Sequence, residues 1–179
     1  MHTYIALLRG INVNGQKLMS MEKLRSLLED LGLTGVTTYI QSGNAVFQSG
    51  KVPHFTLEKK IKASILDMFG FSVPVMVKTR EEWEEIISRN PFVGKKDIDA
   101  SKLHVTFLSD TPNQVVVEEI LNGEYGDDRC FFSGKEIYLS CPNGYGKTKL
   151  INAFFEKKTK LIGTTRNWNT ILKLRDLAE

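Results

Sequence analysis

The order of apolar patterns along the first 79 residues constrains the fold more than any other feature of the sequence. Runs typical of strands lie at residues 3–8, in the stretches VTTYIQ and NAVFQS, and in SVPVMVK. Between them lie two segments with apolar residues at helical spacing, one capped by Ser20 and the other opened by Thr56. The resulting order, β-α-β-β-α-β, is that of the ferredoxin-like, or split βαβ, arrangement. We therefore expect an antiparallel sheet with two helices on one face and the strand at residues 3–8 at its centre.

A second, similar order follows a polar connector. The run KLHVTFLS predicts a strand, the Thr-Pro pair after it opens a helix, and the stretches DRCFFS and EIYLSC predict a hairpin that turns at Gly134. Two more helices are predicted, one from about Thr148 and the last from about Thr165. This half is therefore expected to be an incomplete ferredoxin-like unit, β-α-β-β-α, with an extra C-terminal helix.

The predicted organisation divides the chain into three segments. Residues 1–79 form a ferredoxin-like half, residues 80–101 a helix and connector, and residues 102–179 the second half with its C-terminal helix. A chain of 179 residues suits one compact domain or two small ones. The predicted fold class is α+β, with two ferredoxin-like halves and antiparallel sheets.

The composition is that of an ordinary globular protein, with 41% hydrophobic and 25% charged residues. No apolar run reaches the roughly 18 residues of a membrane span, and the start MHTYIALLRG lacks the basic region of a signal peptide. We therefore expect a cytoplasmic protein that does not associate with a membrane. Cys130 and Cys141 form neither a disulfide framework nor a zinc-ligand spacing, and the sequence predicts no metal and no cofactor.

The stretch CPNGYGKTKL, residues 141–150, is similar to the nucleotide-binding P-loop G-x-x-x-x-G-K-[ST]. Residues 146–148 match its second half, but Cys141 stands where the first glycine is required. Pro142 also removes one backbone donor from the loop. P-loop hydrolases need a parallel sheet with a second acidic strand end, whereas the sequence predicts an antiparallel fold. We therefore expect no P-loop hydrolase activity.

Basic residues at the starts of two predicted helices indicate anion binding. Residues 143–179 contain eight basic and three acidic residues, a net charge of +5, which makes this segment the natural place for an anionic partner. Lys147 and Lys149 lie at one predicted helix start and Arg166 at the other, where the helix dipole disfavours cations. A bound anion would reverse that penalty, so we expect residues 143–149 and Arg166 to converge on one anion site. The alternative is a solvated basic face.

Several stretches together resemble a known family. They are LLRGINVNG, YIQSGNAVF, NPF, LHVTFL, IYL with PNGYGKTKL, and TTRNWNTILKL, and they cover nearly the whole chain. The pattern resembles that of an uncharacterised bacterial family of conserved hypothetical proteins, catalogued as domain of unknown function 1697. The resemblance implies a soluble α+β protein of bacterial origin, and it implies no activity. The family's first loop often reads GINVGG, where this chain has Asn14.

Amide and guanidinium groups are frequent in these stretches, beside glycines that allow backbone N–H groups to approach a ligand. Arginine suits bidentate recognition of phosphate or carboxylate. The residues predicted to bind the ligand are Arg9, Asn12, Asn44, Lys147, Thr148, Lys149, Arg166, Asn167 and Asn169. For each of them, a role in turn geometry or helix capping is the alternative.

The predicted function is binding of a phosphate-bearing or other anionic ligand, such as a nucleotide or nucleic acid. The alternative is an enzyme that acts on a small anionic substrate in a cleft between the two halves. Cys141, at the end of a predicted strand, is a candidate nucleophile with His104 as its base, but nothing in the sequence places the two together. The sequence identifies no catalytic residues.

Overall fold

The computed structural model describes all residues from Met1 to Glu179 and contains eight strands and six helices. The strands form two four-stranded antiparallel sheets. The chain divides into two compact units, residues 1–85 with 173–179 and residues 86–172. The predicted α+β class with two ferredoxin-like halves is confirmed, whereas the three-segment division stays a prediction. None of the helices combines the length and the apolar character that crossing a membrane would require.

The first unit has the predicted order of elements. They are β1 (His2–Leu8), α1 (Met21–Asp30), β2 (Thr34–Tyr39), β3 (Asn44–Ser49), α2 (His54–Phe69) and β4 (Val75–Thr79). The sheet order is β2-β3-β1-β4, and β1 pairs antiparallel with β3 on one side and with β4 on the other. The prediction that this strand lies centrally is confirmed. A further helix, α3 (Arg80–Ser88), follows β4.

The helices of the first unit contribute to a core on one face of its sheet. Tyr4 and Leu8 of β1 lie in this core together with Leu24 of α1 and Ile61 of α2. The arrangement follows from the sequence, because successive strand residues point to opposite faces while helix residues three or four apart share one face. Ile5, which points to the other face of β1, is also fully buried. Both faces of the central strand are therefore covered.

The second unit repeats the topology of the first. Its elements are β5 (Leu103–Leu108), α4 (Gln114–Leu121), β6 (Arg129–Ser133), β7 (Glu136–Ser140), α5 (Asn152–Thr159) and β8 (Gly163–Asn167), and α6 (Trp168–Leu177) follows. The sheet order β6-β7-β5-β8 corresponds, strand for strand, to that of the first sheet. The expectation that the second half is incomplete is wrong, because β8 supplies its fourth strand.

Two helix boundaries explain this error. Thr165 was expected to open the last helix, but it lies within β8, and the Oδ1 of Asn167 caps α6 by accepting from the N–H of Thr170 (2.8 Å). The sequence GTTRN carries two β-branched threonines that suit a strand. The preceding helix begins at Asn152 and not at Thr148.

The turn between β2 and β3 depends on Gly43. This residue has φ +83°, and a Cβ added to it would lie 2.7 Å from the Cβ of Leu8 and 2.8 Å from the Cδ1 of Ile11. Gly43 also accepts, through its carbonyl, the N–H of Leu8 (2.8 Å). Glycine is therefore required here both by the backbone conformation and by the close approach of β1.

We expect Gly43→Ala to lower the free energy of unfolding by about 3 kcal/mol, because backbone strain and overpacking add together. Gly10→Ala is the matched control, since Gly10 has φ +70° and open space around it. It should cost only about 1–2 kcal/mol, from the backbone conformation alone. Urea titrations of both variants measure the difference, and equal losses would show that the contact with Leu8 and Ile11 carries no cost.

Candidate functional site

Asn12 fixes the loop that follows β1. Its Nδ2 donates to the carbonyls of Met19 and Gln41, both at 2.8 Å, and its Oδ1 accepts from the N–H of Met19 at 2.8 Å. The side-chain amide thus joins this loop to the β2–β3 turn. Asn12 itself has φ +54°, and Asn14, in place of the family's glycine, has φ +51°. Asparagine tolerates this left-handed conformation better than other residues with a side chain.

Asn44 shapes the neighbouring turn from inside. It is fully buried, and its Nδ2 donates to the carbonyl of Tyr39 and to the Oγ of Ser42, both at 3.0 Å. Arg9 lies at the same end of the sheet, where its backbone N–H donates to the carbonyl of Pro74 (3.0 Å). Three of the predicted ligand-binding residues, Arg9, Asn12 and Asn44, therefore lie at one end of the first sheet, and the two asparagine amides already bond to the chain.

A shallow cavity of about 350 Å³ opens beside this loop and turn. Its lining includes two groups that could face a ligand, the ammonium of Lys23 and the side chain of Gln41. The remaining lining residues are Asn12, Leu18, Met19, Ser20 and Phe69. The surface is mixed, with apolar side chains as prominent as polar ones, so it carries no distinctive chemistry.

The other predicted residues lie in the second unit, beginning with the loop between β7 and α5. Gly144 has φ +96° and is followed by a three-residue 3-10 turn, Tyr145–Lys147. The N–H of Gly144 donates to the carbonyl of Cys141 (2.9 Å), and the N–H of Lys147 donates to that of Gly144 (3.0 Å). Thr148 is buried, and its Oγ1 accepts from the N–H of Leu150 (3.0 Å). The loop is thus internally bonded, and only its outer face is exposed.

Tyr145 anchors this loop to the sheet. Its ring stacks on His104 of β5, with centroids 4.6 Å apart and an interplanar angle of 26°. Its hydroxyl accepts from the N–H of Asn152 at the start of α5 (3.0 Å). Burial lowers the pKa of His104, so the imidazole beneath the tyrosine is neutral at pH 7. The loop that carries the two lysines is therefore held against an uncharged imidazole.

A threonine pair continues the same face of the sheet. The Oγ1 atoms of Thr106 and Thr165 lie 2.8 Å apart, and the Oγ1 of Thr165 donates to the Oδ1 of Asn152 (3.4 Å). No pattern in the sequence indicates this group or the Tyr145–His104 stack. Both depend on the register between β5 and β8, in which Thr106 opposes Thr165 and His104 opposes Asn167.

Arg166 points to the opposite face of this sheet. It follows Thr165 in β8 and pairs with Val105, so its side chain projects away from the loop that contains Tyr145. Its Nη1 donates to the Oγ1 of Thr164 (2.7 Å) and to the carbonyl of Thr165 (3.0 Å). Burial lowers the pKa of Arg166 to about 10, which leaves it charged at neutral pH. The structure does not bring Arg166 and residues 143–149 together.

The helix-dipole argument for these cations is also wrong. Lys147 ends a short 3-10 turn, Lys149 precedes α5 by three residues, and Arg166 lies inside a strand. Asn167 has a structural role, since it caps α6, and Asn169 is exposed in the first turn of that helix. Of the nine predicted residues, Lys147 and Lys149 share one exposed loop with no partner for their side chains.

The P-loop pattern has none of the surroundings that a hydrolase uses. Its preceding strand, β7, belongs to an antiparallel sheet, and a 3-10 turn stands where the motif requires a helix. Asp110, the acidic residue at the end of β5, forms an ion pair with Lys135 (Oδ1 to Nζ 3.4 Å). Cys141 is buried behind the loop, and burial raises the pKa of its thiol to about 11. A protonated, inaccessible thiol is not a nucleophile.

Comparison with known proteins places the chain in a family. The profile of the family described as protein of unknown function (DUF1697) matches residues 1–138. The chain belongs to this family. The solved structure of a conserved bacterial protein from Streptococcus pneumoniae is similar to this DUF1697 protein, with a TM-score of 0.78 and 26% sequence identity over 99% of each chain. No curated protein matches it. The resemblance inferred from the sequence is confirmed.

We expect Arg166→Ala to lower the free energy of unfolding by about 2–4 kcal/mol, because it leaves buried hydrogen-bond partners unsatisfied. Arg175→Ala is the matched control, since Arg175 is partly exposed and bonds to Asp176 at the surface. It should leave the free energy of unfolding nearly unchanged, because surface ion pairs contribute little to stability. Urea titrations of both variants decide the point, and an Arg166→Ala protein as stable as the control would contradict a structural role for this residue.

Both cysteines should be unreactive in the folded DUF1697 protein. Burial raises the pKa of Cys130 as well as Cys141 to about 11, so at pH 8 only about one thiol in a thousand is ionised. Labelling with Ellman's reagent at pH 8 should therefore be slow in buffer and fast in concentrated urea, where the thiols regain their ordinary pKa. Rapid reaction of Cys141 in the folded protein, measured in a Cys130→Ser variant, would restore Cys141 as a candidate nucleophile.

Proposed function

We propose that this DUF1697 protein binds a phosphate-bearing or other anionic ligand at the loop of residues 142–149 and does not hydrolyse nucleotides. The observation that carries the proposal is the pair Lys147 and Lys149. Both are exposed, and neither forms an ion pair or a side-chain hydrogen bond within the chain. Residues 141–151 contain no acidic residue, so no side chain of the loop itself neutralises the two charges.

Backbone donors reinforce the two charges. The N–H groups of Tyr145 and Gly146 have no acceptor elsewhere in the chain. A Cβ placed at Gly144 or Gly146 would meet no atom within 4 Å, so the space around both glycines is open. Successive N–H groups beside a residue of positive φ form concave sites that favour anions. The loop therefore offers oriented donors as well as positive charge.

The fixed position of Tyr145 favours binding by this loop. Tyr145 is held by its stack on His104 and by the bond from Asn152, so the backbone near the lysines is ordered before a ligand arrives. A preorganised loop loses less conformational entropy on binding than a flexible one. The lysine side chains remain free to adjust, which suits a ligand recognised by charge more than by shape.

Removal of the two charges tests the proposal. We expect Lys147→Ala/Lys149→Ala to weaken binding of inorganic pyrophosphate and of an oligothymidylate by about tenfold or more, because charge-assisted contacts are lost. The control is Lys59→Ala/Lys60→Ala, which removes the same charge from exposed positions on α2. Isothermal titration calorimetry at two salt concentrations measures both, and wild-type affinity should fall with added salt.

Three outcomes bear on the interpretation. Loss in the loop variant alone supports the site, whereas equal loss in both variants reduces the effect to net charge and contradicts it. Binding of neither probe by the wild type would also contradict the proposal. A preference for oligothymidylate over pyrophosphate would identify nucleic acid as the ligand class, and the reverse preference would indicate a small phosphate compound.

Nucleotide turnover provides a separate test. We expect no magnesium-dependent hydrolysis of ATP or GTP above background, because the loop lies on an antiparallel sheet without the geometry of a P-loop. A malachite-green assay of released phosphate measures this. Turnover that disappears in Lys147→Ala would contradict the expectation.

A further inference from the structure

The strand β6 forms one edge of the second sheet. It pairs with β7 on one side only, from Arg129 opposite Ser140 to Ser133 opposite Glu136. An edge strand presents unpaired backbone groups, and proteins protect such edges with bulges, prolines or charged side chains. β2, the corresponding edge of the first sheet, has an irregularity between Thr34 and Thr37. β6 has a regular register and no proline, and its one charged residue, Arg129, is at its first position.

Hydrogen-bond parity decides which backbone groups of β6 point outward. The N–H of Leu108 donates to the carbonyl of Lys135 (2.8 Å). Alternate residues of an antiparallel strand bond to opposite neighbours, so the odd-numbered residues of β7 that follow Lys135 direct their N–H and C=O groups toward β5. The even-numbered residues of β7 turn toward β6, where they oppose odd-numbered residues. The N–H and C=O groups of Cys130 and Phe132 consequently point away from the sheet. No other group of the chain bonds to them.

The surface along this edge is open and includes exposed apolar side chains. Phe131 is 45% exposed and Leu121 49% exposed. Both line a cavity of about 710 Å³, and both also line a second one of about 240 Å³ that includes Phe132. Exposed aromatic and aliphatic side chains beside unpaired strand groups are the features of a surface that accepts another strand.

We propose that β6 pairs antiparallel with β6 of a second copy of this chain, about a two-fold axis through Phe131. In this register Cys130 opposes Phe132 of the second copy, and Phe132 opposes Cys130 of the second copy. It is the one antiparallel register in which both outward-facing residues of each copy meet outward-facing residues of the other strand. The second sheets of the two copies then join into one continuous eight-stranded sheet.

The side chains and charges agree with the same register. Phe131 meets Phe131 of the second copy in a non-hydrogen-bonded pair, where cross-strand side chains are closest and aromatic pairs are favourable. At both ends of the strand Arg129 opposes Ser133 of the second copy, so no like charges face each other. A two-fold interface uses the same patch twice and so requires this kind of self-complementarity.

The interface is small, because β6 contributes only five residues. Interfaces that bury less than about 1,200 Å² in total are typical of transient complexes, so the dimer forms reversibly as concentration rises. This inference is independent of the anion-binding proposal, since it uses none of residues 142–149.

Sedimentation velocity over a concentration series tests the pairing. The wild type should shift from monomer toward dimer, and Phe131→Glu and Phe131→Lys should each weaken dimerisation at least about tenfold, because like charges then face each other at the axis. An equimolar mixture of the two variants should dimerise again, since glutamate then opposes lysine. Val115→Glu is the control for the substitution itself, because Val115 is 72% exposed on α4 and should leave dimerisation unchanged.

A wild type that stays monomeric up to its solubility limit would overturn the inference. So would a dimer that Phe131→Glu does not weaken, or variants whose mixture fails to dimerise. If Phe131→Glu does not fold, disulfide cross-linking with copper–phenanthroline decides the question. Phe131→Cys should then cross-link between copies much faster than Val115→Cys, and equal rates would overturn the register.

Discussion

The two central strands, β1 and β5, are buried, and the other elements of each unit are arranged around them. All side chains of β1 from Tyr4 to Leu8 are buried, and β5 is covered on both faces over most of its length. A strand in that position needs a neighbour on each side, which each β-α-β-β-α-β unit supplies through its hairpin strand and its last strand. Chemistry that requires solvent is thereby restricted to the loops at the strand ends and to the sheet edges.

Several polar side chains of the second sheet form hydrogen bonds within that sheet. Thr106 and Thr165 bond across strands on one face, and Arg166 bonds to Thr164 on the other. The guanidinium of Arg166 therefore bonds to neighbouring residues of the chain, although arginine is a residue type that commonly binds anions. The two lysines of the β7–α5 loop differ from Arg166, because their side chains are exposed and form no hydrogen bond within the chain.

The first half of the fold could be predicted because strand and helix periodicities are strong there and only one simple topology joins them. β8 could not, since GTTRN is short and is defined as a strand by its pairing with β5. The predicted anion site is wrong for the same reason, because a helix that begins at Thr165 would place Arg166 at its start, whereas Arg166 lies in β8. Asn12 and Asn44 illustrate a different limit: amides in glycine-containing loops suit ligand binding and turn formation equally, and only the three-dimensional contacts distinguish the two. The enzymatic alternative stays a prediction.

Binding of an anion by residues 142–149 can be followed residue by residue in a nitrogen-15 NMR titration of the wild-type protein with inorganic pyrophosphate. We expect the largest amide shifts at Tyr145, Gly146 and the two lysines, and we expect these shifts to saturate and to shrink as salt is added. Shifts confined to the loop of the first unit around Asn12, or no saturable shift anywhere, would contradict binding at residues 142–149.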